Sequence, residues 1–221
     1  MIQLFKYSLP VLTGYIPVGI AFGFLMRNEG FAWYIAPLCS LLIFAGALQF
    51  FAVSLFLTAG VPWLDVVLAT LTINFRHIFY GFSVFNYLPR QSAQKWYFIH
   101  ALTDENYSLL TSKLPLQQSQ AFWLLMLNHS YWVIGTLLGG LLASFVQPIA
   151  GIDFVLVVLF LVLLLEQLYN NPSIMTPLLA LLACLFSSVF FKAHFLIAAT
   201  VSCFLLLFLQ YQMAIRGKTD E

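Results

Sequence analysis

Asn74, Arg76 and His77 stand inside a largely apolar run from Val61 to Leu88. A guanidinium at the centre of a bilayer costs about 3 kcal/mol or more to insert, so it faces a cavity or a partner rather than lipid. Asn74 and His77 are three residues apart, and a helix through them places both on one face, with Thr70 a turn before and Gly81 a turn after. Such a face can hydrogen-bond a zwitterion or take a proton near neutral pH. The competing reading ends the helix near Phe75 and lets Arg76 snorkel to an interface. Ile78 to Leu88 is again apolar, which argues against an exit there. The island points to a membrane carrier.

A second polar cluster follows at Thr103, Asp104, Glu105 and Asn106. Asp104 lies four residues after His100 and three before Tyr107, so one helical face would join a carboxylate, an imidazole and a phenol. A carboxylate there can pair with Arg76, attract an ammonium group or take up a coupling proton; a solvated loop helix is the alternative. Gln49 is a lone amide deep in an apolar run, where it either ties helices together or binds a ligand. Asn128 and His129 lie near Trp132, Glu166 and Gln167 close a later run at an interface, and Asp153 reads as a helix N-cap. Gly135, Gly139 and Gly140 form a small-residue face for helix packing.

Composition defines the solvent these residues must work in. Hydrophobic residues make up 62% of the 221 and charged residues only 8%, against about 25% charged in soluble proteins; the mean hydropathy is +0.94. A net charge of +1 supplies no basic surface for nucleic acid. Cys39, Cys184 and Cys203 are odd in number and far apart, which suits buried thiols rather than disulfides. The first apolar run contains Pro10, Gly14, Pro17, Gly19 and Gly23 and lacks a small-residue cleavage site, so it reads as a membrane helix rather than a signal peptide. Sequons at Asn106 and Asn128 carry little weight, the second lying in an apolar segment.

A span needs about 20 apolar residues. Seven stretches come close: Leu9 to Met26, Ala32 to Ala59, Val61 to Leu88, Ala121 to Val146, Phe154 to Tyr169, Ile174 to Phe191 and Phe195 to Met213. The expected fold is an all-α polytopic membrane helix bundle in one transporter domain over 1–221. The second, third and fourth stretches are longer than a span needs, which tilt accounts for as well as breaks at Gly46 and at the Asn74–His77 island in the second and third do, and Gly14, Pro17, Gly19, Gly135 and Gly139 are further break or packing positions. Between Leu88 and Ala121, Trp96, Ile99, Leu102, Asn106 and Leu109 recur at three- and four-residue steps, as in an interfacial amphipathic helix; a short re-entrant element fits equally. With seven spans, an outside N-terminus puts Arg27, Arg90, Lys95, Lys113, Arg216 and Lys218 in the cytoplasm and only Lys6 and Lys192 outside, so N-out and C-in is expected. The parity changes if the Trp96 segment crosses. Gly19 and Gly23 match Gly135 and Gly139 at a common offset; repeat halves 1–115 and 116–221 with three spans each would be inverted.

No GxSxG, HExxH, paired intramembrane Asp or nucleotide-binding loop is present, so no enzyme, cofactor or metal site is expected. A passive channel would need a polar stripe along several spans, and a non-transporting regulatory subunit would tolerate loss of Arg76 and the acid pair.

Taken together, Gly14-Tyr15-Ile16-Pro17-Val18-Gly19-Ile20-Ala21-Phe22-Gly23, Phe44-Ala45-Gly46-Ala47-Leu48-Gln49-Phe50, Asn74-Phe75-Arg76-His77 with Tyr80-Gly81, Thr103-Asp104-Glu105 and Gly151-Ile152-Asp153-Phe154 resemble the AzlC-type (azaleucine resistance) permeases. The resemblance runs in order across most of the chain and fades after Tyr169. It implies a bacterial inner-membrane exporter of valine, leucine, isoleucine and sometimes methionine, driven by the proton gradient and working with a small AzlD-type subunit. A branched-chain amino acid needs a cation for its carboxylate, an anion for its ammonium and an apolar pocket. Arg76, Asp104 or Glu105, and the Phe-rich second span are the candidates, with Gln49, Asn74 and His77 as further binding or coupling residues.

Overall fold

The structure, a computed structural model, describes residues 2–57, 63–112, 116–146, 174–191 and 195–219, together with 151, 154 and scattered positions from 157 to 169. Asp153, Glu166, Gln167, Lys113 and Lys192 lie outside the described residues. Regular structure among the described residues is helical throughout: α1 (Ile2–Asn28), α2 (Ile35–Leu42), α3 (Gly46–Leu57), α4 (Trp63–Asn74), α5 (His77–Ser83), α6 (Ser92–His100), α7 (Asp104–Thr111), α8 (Gln118–Leu142), α9 (Met175–Phe190) and α10 (Phe195–Thr219), with a 3-10 turn at Phe85–Tyr87. The chain divides into two compact units, 1–60 with 74–157, and 61–73 with 158–221.

Two helices of the first unit, α1 and α8, are long and apolar enough to cross a membrane. At 27 residues, α1 is about 40 Å long, and it runs unbroken through Pro10 and Pro17. Gly14 and Pro17 are therefore neither breaks nor packing points: both are exposed, and a Cβ on Gly14 would meet nothing within 4 Å. A membrane helix continues through proline where neighbouring helices, Ser/Thr side chains or local backbone adjustment satisfy the freed backbone groups. Gly19 and Gly135 do pack. A Cβ on Gly19 would stand 3.1 Å from the Gly135 Cα, and one on Gly135 would stand 2.9 Å from the Ile16 carbonyl. Gly139 abuts the Ile20 backbone, and Gly23 abuts Thr136 and Gly140. Small residues let the two backbones touch, as in close-packed membrane helix pairs. These contacts advance together along both helices, so α1 and α8 run in the same direction. An inverted relation between them, expected from three spans per half, would make them antiparallel and is not what is found.

Four of the remaining helices of this unit form two hairpins that approach the α1/α8 pair from opposite ends. The first is α2 and α3. Trp33 packs on Gly140, near the last turn of α8; Ser40 reaches His129, the level of the middle of α8; α3 then retreats past Trp132 to Phe50, whose ring meets Phe22 at 5.2 Å. Gln49 donates back to Ser40 across the hairpin at 3.0 Å. The second stretch is thus broken at 43–45, as Gly46 suggested, and it folds back rather than running on. Its tip residue Phe44 holds φ 39°, a conformation costly for a bulky side chain.

The second hairpin is α6 and α7. Gln118, at the start of α8, bonds the Leu88 carbonyl, so the segment leaves and rejoins the pair at one level. Between these points α6 climbs to His129 through Tyr97, and Thr103 at its tip reaches Tyr15, halfway along α1. α7 then descends through Asn106 to the loop before α8. This corrects the single interfacial helix. Trp96 and Ile99 are exposed, whereas Phe98, Ala101, Leu102, Asn106 and Leu110 are buried, so the periodic stripe is split across a break at 101–103. The segment has the hairpin shape that the re-entrant alternative calls for.

In the second unit α9 packs against α10, with Ala183, Ser187 and Ala199 buried. Leu181, Leu185, Phe186, Leu205 and Phe208 are exposed, which is the outward apolar surface that a lipid solvent favours and water does not.

Candidate functional site

The third stretch breaks at Phe75 and Arg76, between α4 and α5. Asn74, His77 and Gly81 therefore do not share one uninterrupted helical face. The imidazole Nδ1 of His77 lies 3.0 Å from the Asn74 backbone carbonyl, which has no α-helical donor at this break. Arg76 is turned to the second hairpin, where its Nη2 donates to Asp104 Oδ2 at 2.6 Å. Tyr80 donates to Asp104 Oδ1, also at 2.6 Å, and its ring stacks on Tyr107 at 4.1 Å. Both oxygens of the carboxylate are engaged. The Arg76 Nε is buried and has no hydrogen-bond partner among the described residues, which leaves one N–H of a fork that normally grips a carboxylate with two parallel bonds.

Asp104 and Glu105 open α7, whose N-cap Thr103 accepts from the Asn106 backbone N–H. Negative charge is favoured in a first turn, close to the unpaired N–H groups. Glu105 Oε2 accepts from the Tyr15 hydroxyl at 2.7 Å, and the Thr103 hydroxyl lies 2.7 Å from the same Tyr15 oxygen. The acid pair thus divides its work: Asp104 faces α5 and Glu105 faces α1. Because Tyr15 is at the midpoint of α1, the whole cluster sits at the midpoint of the long helices. His100 is not part of it. The break at 101–103 separates His100 from Asp104, and its ring faces His129 at 5.5 Å.

A second polar layer joins the hairpin tips to α8. His129 lies with Nε2 3.0 Å from the Ser40 carbonyl and Nδ1 2.8 Å from the Tyr97 hydroxyl, and it stacks on Phe44 at 4.2 Å. Asn128 donates to Asn106, which donates to the Ala101 carbonyl. Both sequon asparagines are fully buried, which closes them to glycosylation in this fold. Gln49 is buried, donates to Ser40 and accepts from the Trp132 indole N–H at 2.9 Å. That is the helix-tying alternative. Gln49→Leu is expected to cost about 1–3 kcal/mol by stranding the Trp132 and Ser40 groups while leaving solute preference unchanged. Thermal unfolding in detergent beside a substrate profile checks both halves.

Tyr80 as a partner of Asp104 escaped the sequence reading, although its place four residues after Arg76 was a usable signal. Nothing in the sequence marked the Phe44–His129 stack.

A charged, hydrogen-bonded cluster midway along long apolar helices marks the substrate or ion pathway of a membrane transport protein, the class to which comparison with known proteins assigns this chain. The chain belongs to the AzlC protein family, whose model matches residues 10–146. A Bacillus subtilis protein named branched-chain amino acid transport protein AzlC is 35% identical over 168 residues, covering 74% of this chain and 66% of that protein. An uncharacterized membrane protein of Helicobacter pylori strain J99 is 35% identical over 214 residues, 93% of this chain and 92% of its own. The inner membrane protein YgaZ of Escherichia coli K12 is 30% identical over 212 residues, 90% and 85% of the two chains. No solved structure matches.

Proposed function

We propose that this chain is the large subunit of a bacterial inner-membrane exporter of branched-chain amino acids, taking valine, leucine, isoleucine and methionine from the cytoplasm at the expense of the proton gradient, with a small AzlD-type membrane subunit as partner. The observation that carries this reading is the Arg76–Asp104 pair at mid-depth with the Arg76 Nε unpartnered. A zwitterion fits such a pair: its carboxylate takes the free side of the guanidinium, and its ammonium is drawn to Asp104 and Glu105. Gln49 belongs to packing in this reading, and Asn74 and His77 shape the break that presents Arg76.

The topology in the membrane is revised with it. Residues 2, 88 and 118 lie at one end of the first unit, so α1 crosses, α2–α3 re-enters, the chain is back at the starting side by Leu88, α6–α7 re-enters and α8 crosses again. Lys6, Arg90 and Lys95 then fall on the N-terminal side and Arg27 on the other, so the positive-inside rule now favours an N-terminus in the cytoplasm. Tyr15, Gly19 and Gly23 recur as Tyr131, Gly135 and Gly139, and α4 and α9 end at Asn74 and Phe190 at that same spacing. The proposed halves 1–115 and 116–221 are accordingly parallel repeats, a known arrangement of transporter halves. With Cys39, Cys184 and Cys203 removed, single cysteines at Asn86 and Ser119 are expected to react with an impermeant maleimide from the same face, and one at Glu29 from the other. Labelling of positions 86 and 119 from opposite faces would refute the second hairpin.

The function is tested by efflux of preloaded labelled valine and leucine from cells lacking their own exporters, with this chain expressed alone and with its small partner. Efflux requiring both chains is the expected result. Absence of efflux for all four amino acids in both cases overturns the proposal.

A further inference from the structure

The two carboxylates at the start of α7 are held differently. Asp104 has a partner on each oxygen, Arg76 on Oδ2 and Tyr80 on Oδ1, both at 2.6 Å. Glu105 accepts from the Tyr15 hydroxyl at 2.7 Å, and no cation stands within ion-pair distance of it among the described residues. The groups around it supply no counter-charge. Tyr15, on α1, offers a hydroxyl alone. Asp104, beside it on α7, repels it, and Arg76 is committed to Asp104. The His100 and His129 imidazoles of α6 and α8 approach Tyr15 only through the Phe44 ring, which stacks on His129 at 4.2 Å, lies 6.3 Å from His100 and stands edge-on to Tyr15 at 6.1 Å. The ion pair thus answers the charge of Asp104 and leaves that of Glu105 unanswered, at the midpoint of α1.

A carboxylate charge at that depth needs a counter-charge or a proton. We infer that Glu105 is the coupling residue, the carboxylate whose proton decides whether the solute ammonium is held: ionised, Glu105 draws the ammonium to the Arg76–Asp104 pair, and protonated, it releases it. The assignment rests on the proposed amino-acid export and adds to it the group on which the driving ion acts. Glu105 is half-buried, and the bond from Tyr15 leaves its second oxygen to take the proton. On the outer side a proton from bulk water forms an O–H bond on Glu105, the attraction for the ammonium is lost, and the amino acid leaves as the zwitterion it entered as. On the cytoplasmic side the same proton returns to water and the ionised carboxylate draws the next solute. One proton enters for each amino acid exported. Asp104 does not fill this role, because its charge is already answered by Arg76.

Binding of labelled leucine to the purified full chain, alone and with its small partner, is measured between about pH 5 and 8 for the parent, Glu105→Gln and Glu105→Asp. The parent is expected to lose affinity as the pH falls, by up to about tenfold per pH unit, the slope of a single linked proton. Glu105→Gln keeps an acceptor for Tyr15 but is never ionised, and it is expected to bind leucine at every pH as weakly as the parent does at the acid limit. Histidines titrate in the same range, so the comparison with this variant is decisive. A pH dependence that survives in Glu105→Gln, or a parent affinity that does not change with pH, overturns the coupling role and leaves the amino-acid site standing. Glu105→Asp retains a carboxylate and is expected to keep the parental direction of the pH dependence. A Glu105→Asp chain that binds leucine equally at every pH overturns the role as well, whether or not Glu105→Gln folds. A parent chain that binds no leucine in either preparation overturns both the coupling role and the amino-acid site.

Discussion

Arg76→Ala is expected to abolish export of valine and leucine while the protein remains in the membrane at parental abundance, and Asp104→Asn is expected to do the same. Each removes one half of a charge pair that also holds a charged solute. The pair is partly exposed, its side chains at 40% and 22%, so truncating one partner costs less than the about 2–5 kcal/mol of a buried pair, and a loss of about tenfold or more in affinity is expected at 1.4 kcal/mol per tenfold. The informative comparison is Arg76→Lys. Lysine keeps the positive charge beside Asp104 but cannot supply the Nε–H, and an ammonium is a point charge rather than a fork. If Arg76 only balances Asp104, Arg76→Lys transports as the parent does; if its free N–H holds the solute carboxylate, Arg76→Lys loses transport by about tenfold or more. Labelled efflux normalised to membrane abundance separates these results. Normal export by both Arg76→Ala and Asp104→Asn would remove the cluster from the transport site.

The largest effect on stability is expected at Gly139. Any side chain there runs into the backbone of Ile20, which cannot move without separating α1 from α8. Gly139→Leu is expected to cost about 3 kcal/mol, the upper part of the usual overpacking range, and to lower the unfolding temperature in mild detergent sharply. Gly14→Leu is the matched control on the same helix pair. With open space around its Cβ, it should change stability by no more than about 0.5 kcal/mol. Equal losses from both substitutions would mean that the close contact of the two helices is not what holds the unit together.

Much of the site was visible as residue types. Arg76 and the acid pair stand out because charge is rare in this chain, and the pairing of Arg76 with Asp104 was among the options their chemistry allowed. The Gly19, Gly135 and Gly139 packing positions were likewise legible, since glycine at four-residue spacing in an apolar helix has few other uses. His100 was misplaced for a physical reason. Helical spacing puts it on the Asp104 face only if the helix continues, and the break at 101–103 carries no proline or glycine to announce it.

By itself the sequence determined the solvent, the helical class, the family and the identity of the charged residues, because each of these follows from composition, local spacing or a run of motifs. Tertiary structure alone decided that α2 with α3 and α6 with α7 fold back as hairpins, that their tips meet near Tyr15 and His129, that α1 and α8 are parallel, and that Gln49 and the two sequon asparagines are enclosed by partners. A crossing helix and a re-entrant hairpin have the same apolar content and nearly the same periodicity. They differ in which distant residues touch, and that choice is made by the glycine contact of α1 with α8 and by the hydrogen bonds that Tyr15, Gln49, Asn128 and His129 draw from the hairpins around them.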